Sequence, residues 1–98
     1  MEAHPVVIVS REDLNRGRWV VAVLVTSARY ETRSRLPNCV GFQAGEFGLA
    51  KDCVAQAESI FSIRREELGT QIGSLDDERM RELIKAIGSV IASDCEPI

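Results

Sequence analysis

The sequence predicts an α+β domain, mainly β: a small antiparallel sheet or partial barrel with one packed C-terminal helix. Three observations carry this. Trp19 to Val25 is an uninterrupted apolar run of seven residues, rich in valine, with the length and composition of a buried strand. Met80, Leu83, Ile84, Ile87, Val90 and Ile91 recur at the spacing of one helix face. Strand-like stretches follow one another without the regular βαβ alternation that a doubly wound nucleotide-binding fold requires. With 98 residues there is room for a single domain, 1–98, and not for two.

Each element has a local reason. Pro5 suits the first position of a strand, because it cannot donate to a ladder, and Val6 to Val9 is the β-branched run that follows. Ser10 to Asp13 reads as a capping box, with Gly17 as a left-handed stop after about one helical turn. Trp19 to Thr26 is apolar on both faces and is expected at the centre of the sheet, covered on both sides. Ala28 to Pro37 is polar and arginine-rich and reads as a long surface loop. Val40 to Gln43 is a short strand, and the glycine pair Gly45 and Gly48 marks a turn. Asp52 to Ile60 is a longer strand that Phe61 to Ile63 either continue or bend. Arg64 to Leu68 is a brief helical turn stopped by Gly69, and Gln71 to Gly73 is ambiguous. Asp76 is the expected N-cap of the last helix, with Asp77 and Glu78 favouring its positive end. Gly88 inside that helix suggests the close approach of a backbone or a partner.

Composition excludes several classes. Hydrophobic residues make up 45% and charged residues 28%, a globular balance rather than a disordered one. The longest apolar run falls far short of the roughly 20 residues of a membrane span. The first five residues carry no basic segment before an apolar one, so no signal peptide is expected. Cys39, Cys53 and Cys95 form no CxxC pair, which argues against a disulfide framework or a zinc ribbon and for a cytoplasmic location. The net charge of −3 hides an asymmetry: six arginines face four acids in residues 1–35, and six basic residues face eleven acids in the remainder. The first third is therefore a candidate for an anionic ligand, against the plainer reading of arginines scattered on a solvated surface.

No P-loop, HExxH or GxSxG motif is present, and no metal or cofactor is expected, since His4 is the sole histidine. Thr26 and Ser27 end the central strand where the arginine-rich loop begins. Hydroxyls and arginines at such a junction can hold a phosphodiester and stabilise charge on its oxygens. Thr26 is equally well explained as a strand-filling β-branched residue. His4 can move a proton near neutrality or be merely solvated. Glu58 either faces outward or joins a concave site. The cysteines read as small buried hydrophobes.

The residues Pro5-Val-Val-Ile-Val-Ser10, Leu14-Asn-Arg16, Val21 to Ser27 and Leu36-Pro-Asn38-Cys-Val40, with Ala44 to Ile60, Leu68-Gly69 and Ile72 to Leu75, resemble the MazF/PemK (Kid) family of toxins in order and spacing. The likeness runs from Pro5 to about Ala92. It implies an SH3-like barrel with a C-terminal helix, working as a homodimer. It also implies a metal-independent endoribonuclease of a toxin–antitoxin system, which cuts single-stranded RNA by attack of a ribose 2′-hydroxyl. A cognate antitoxin would lay an acidic tail over the RNA groove. By the same resemblance Thr26 matches the family's catalytic threonine, and His4 stands where an arginine is usual and would move a proton. Ser27, Arg29 and Arg33 would meet RNA, and Glu58 matches a position that is acidic in some members. The family normally opens with a further strand, patterned Gly-x-Ile/Val-Trp, so an N-terminally short domain is expected here. The alternatives are an impaired family member that still holds an antitoxin, and a nucleic-acid-binding module without chemistry.

Overall fold

The computed structural model describes residues 4–91. Four strands form one antiparallel sheet: β1 (Val6–Ile8), β2 (Trp19–Thr26), β3 (Cys39–Phe42) and β4 (Cys53–Arg64), in the spatial order β1-β2-β4-β3. Short helices α1 (Glu12–Asn15) and α2 (Tyr30–Arg33) lie in the connections, and α3 (Asp77–Val90) packs on the sheet. The expected α+β architecture with a C-terminal helix is what forms, the sheet curling into a half-barrel.

The curl has a definable cause. β4 is long enough to serve two neighbours. Its second half pairs with β2, Val23 lying opposite Ile60, and its first half pairs with β3 and with the end of β2, Val25 lying opposite Ala55. Residues 56–59 of β4 are thus accommodated against Leu24 alone. Such irregularities bend a strand and increase its twist. Phe61 to Ile63 continue the strand rather than ending it.

The core fills the concave side. Val7, Val23, Val25, Val40, Phe42, Cys53, Ala55 and Ala57 pack beneath Leu83, Ala86 and Ile87 of α3. Asp76 caps α3 as expected, its carboxylate accepting from the Arg79 backbone N–H at 2.8 Å. The helix buries a narrower stripe than its periodicity suggests, leaving Ile84, Val90 and Ile91 exposed.

Several local expectations need correction. Ser10 does not cap α1. Arg11 holds that position without a side-chain bond, while the Ser10 hydroxyl pairs with Asn15 and accepts from the Val21 N–H at 3.0 Å. Gly17 is not left-handed; its N–H simply closes the turn on the Leu14 carbonyl. The loop 28–37 contains α2, entered through Arg29 in the left-handed region at φ 54°. The brief helical turn expected after β4 does form, as a 3₁₀ turn over Arg65–Glu67. β2 is central and both faces are covered in part: Val20 and Ala22 are buried on one and Val23 and Val25 on the other, while Trp19 is exposed and Val21 and Leu24 are half-buried. Gly88 has no atom within 4 Å of where a Cβ would sit, so no described backbone approaches it.

Candidate active site

The pairing of β1 with β2 builds the site. Val6 lies opposite Leu24, and the Val25 N–H donates to the Pro5 carbonyl at 3.0 Å. Continuing that antiparallel register brings residue 4 beside residue 26. His4, Thr26 and Ser27 accordingly line one open hollow of about 240 Å³, whose far wall is Leu49, Ala50 and Lys51. Two residues nearly at opposite ends of the first third of the chain are joined by strand register alone.

Thr26 is poised as a donor. Its Oγ1 accepts from the Ala28 N–H at 3.2 Å, a local turn bond that orients the hydroxyl and leaves its proton free for another acceptor. Ser27 and Lys51 also border a second, wider hollow of about 580 Å³ with Arg29, Tyr30, Glu31, Thr32 and Asp52. The two hollows therefore meet at Ser27 and Lys51. Arg29 projects from the left-handed residue that opens α2.

The remaining predicted residues lie elsewhere. Arg33, half-buried at the end of α2, donates to the Ala28 carbonyl at 3.3 Å and lines neither hollow. Glu58 is exposed on β4, four residues beyond Val54, the partner of Thr26. At about 3.3 Å per residue that is roughly 13 Å along the strand. Its carboxylate accepts from the Asn38 and Gln56 side-chain amides. Lys51 is the site residue that sequence reasoning missed. It stands inside the stretch Ala44 to Ile60 that carries the resemblance, but no pattern of its own marks it.

The cysteines fit their bland reading. Burial pushes the Cys39 thiol above its ordinary value, the Glu58 carboxylate adds to this, and the Arg33 guanidinium opposes it. Burial also raises Cys53, with Asp52 contributing. Neither is a ready nucleophile. Among the described residues no three His, Cys, Asp or Glu side chains gather to hold a metal ion, and no helix is long and apolar enough to cross a membrane.

The half-barrel thus presents hydroxyls, an imidazole and cations at one strand end, groups whose chemistry can hold a phosphate. The model of the PemK-like, MazF-like toxins of type II toxin–antitoxin systems matches residues 1–91, and the chain belongs to this family. The resemblance drawn from the sequence is thereby borne out. Among solved structures, an Mtb toxin is 27% identical with a TM-score of 0.77, covering 93% of this chain and 96% of its own. The Mycobacterium tuberculosis toxin MazF-mt6 is 27% identical with a TM-score of 0.78, covering 90% and 85%. An endoribonuclease in complex with its cognate antitoxin, from a mycobacterial species, is 27% identical with a TM-score of 0.75, covering 90% and 80%. No curated protein matches the sequence.

Proposed function

We propose that the protein is a toxin-type endoribonuclease that cleaves single-stranded RNA and is neutralised by an antitoxin. Membership of the toxin family and similarity to solved endoribonucleases support the activity. The observation that carries the site assignment is the shared hollow of His4, Thr26 and Ser27, set by the β1–β2 register.

In this reading a ribose 2′-oxygen attacks the adjacent phosphorus as its proton leaves. The bond from phosphorus to the 5′-oxygen breaks, and that oxygen takes up a proton. The products are a 2′,3′-cyclic phosphate and a 5′-hydroxyl. Negative charge grows on the non-bridging oxygens during attack, and the Thr26 hydroxyl donates to one of them. The His4 imidazole, which lines the hollow beside Thr26, moves a proton. Ser27 and Arg29 bind flanking phosphates where the two hollows join. Arg33 and Glu58 lie outside both hollows and would meet only RNA that extends past them.

The same cationic rim suits the acidic tail of an antitoxin, which would compete with RNA for it. A homodimer in the cytoplasm completes the reading. The exposed Ile84 and Val90 of α3, with Ile91 just after it, are apolar surface that a second copy can cover.

The test is cleavage of a labelled single-stranded RNA with EDTA present, followed on a gel. Fragments with the wild-type chain and their loss with Thr26→Ala support the reading. An RNA left intact over a range of sequences refutes it.

A further inference from the structure

The Leu49–Lys51 wall of the hollow is held from a distance. The 3₁₀ turn Glu46–Gly48 precedes it, and the Leu49 N–H and carbonyl both bond back to that turn, to the Glu46 carbonyl at 2.9 Å and the Gly45 N–H at 2.8 Å. Leu49 also packs against the core. The turn itself is unusual, because Phe47 sits in the left-handed region at φ 52°, which an aromatic residue rarely adopts. Such a conformation persists only where its surroundings enforce it.

Arg79, in the first turn of α3, is the group that reaches this turn from the helix. Its guanidinium donates to the Gly41 carbonyl at 3.0 Å and to the Glu46 carboxylate at 3.4 Å. It lies 6.0 Å from the ring centres of both Phe42 and Phe47, which themselves meet edge to face at 5.7 Å. The other Glu46 oxygen accepts from the Gln43 N–H at 2.7 Å. One planar fork thus ties helix, strand and turn together, and both partners of the ion pair are half-buried, where screening by water is reduced. Lysine, with a compact ammonium group, cannot make these contacts at once.

We propose that Arg79 is a positioning residue for RNA cleavage: through Glu46 and the turn it fixes where Lys51 stands at the junction of the two hollows, and Lys51 there contacts an RNA phosphate. The proposal rests on the function proposed above.

Two measurements test it. In the first, amide chemical shifts are recorded for the free wild-type chain, Arg79→Met and Glu46→Gln, the second being a milder variant that keeps the bond to Gln43. Shifts at Leu49 to Lys51 that exceed those at the far end of α3 support the proposal; an unmoved wall in both folded variants overturns it, whether or not the chain cleaves RNA. In the second, cleavage kinetics are compared for Arg79→Met, Lys51→Met and the double variant. Each single change is expected to raise KM roughly tenfold, in keeping with one lost phosphate contact, and the double variant is expected to be no worse than the worse single one. A role confined to stability would lower the active fraction, and so kcat, at unchanged KM. That pattern, or effects that multiply in the double variant, overturns the proposal. A wild-type chain that leaves RNA intact while the wall still shifts overturns the functional reading and the role of Lys51 together, leaving only the structural half of the proposal standing.

Discussion

Gly45 and Gly48 both have positive φ, at 94° and 81°, yet alanine should affect them very differently. At Gly45 a Cβ would meet nothing within 4 Å, so the change costs only the left-handed conformation, about 1–2 kcal/mol. At Gly48 a Cβ would stand 1.8 Å from the Ile72 carbonyl oxygen and 2.7 Å from its carbon. These are backbone atoms, so the segment through Gly73 must retreat by more than 1 Å to reach even a tight contact of 3.0 Å. Overpacking of this kind adds roughly 1–3 kcal/mol. Gly48→Ala should therefore lose about 2–5 kcal/mol, a large share of the total for a domain of this size. Gly73 faces the same contact from the other side, where a Cβ would stand 2.0 Å from the Phe47 carbonyl oxygen. Urea unfolding of the two variants beside the wild type gives the answer, provided the slopes agree. If Gly48→Ala matches Gly45→Ala to within about 0.5 kcal/mol, a difference no larger than an ordinary surface substitution makes, the backbone contact between the turn and residues 72–73 is not what holds them.

Other outcomes follow from the same geometry. Thr26→Ala removes one preorganised donor and should cost on the order of 10²–10³ in cleavage rate. Its melting temperature should barely move, since β-propensity differences span only about 1 kcal/mol. His4→Arg places a permanent cation and a donor fork in the hollow and should raise cleavage, as read by gel with EDTA present, the fixed charge outweighing the lost proton transfer; loss of a robust wild-type activity would instead show that proton transfer by His4 is indispensable. The buried thiols make a pH prediction. Cys39 and Cys53 titrate above the ordinary value of 9.0, so the fold favours their neutral forms. Their contribution to stability is complete below about pH 9 and is lost as pH rises through the raised folded values. Urea midpoints of Cys39→Ala and Cys53→Ala should accordingly fall less between pH 8.5 and 10.5 than the wild-type midpoint does, all values in that range lying near the ordinary thiol titration.

Much of the fold is legible in the sequence where the cause is local. Asp76 and the apolar spacing that follows it announce α3, and Trp19 to Thr26 announces the central strand. Ser10 shows the limit, since its hydroxyl serves Val21 eleven residues away and not the helix beside it. α2 has no apolar period to betray it and begins at a left-handed arginine. Of the site, Thr26, Ser27 and His4 were visible as residue types at a strand end, but only the β1–β2 register brings them together. Arg33 stands out in the sequence by the arginine-rich loop and Glu58 by the family resemblance, and the fold directs both to other partners. Lys51 and its support by Arg79 were invisible, because the contacts join residues more than thirty positions apart.

The central claim is that the RNA supplies its own nucleophile and that side chains around Thr26 stabilise the reaction. The most direct measurement uses two RNAs of one sequence, one of them carrying a single 2′-deoxyribose on the 5′ side of the cut. The account predicts that the all-ribose strand is cleaved to a 2′,3′-cyclic phosphate and a 5′-hydroxyl, identified by mass, and that the substituted strand resists at that bond alone. Equal cleavage of both strands at that bond would contradict it.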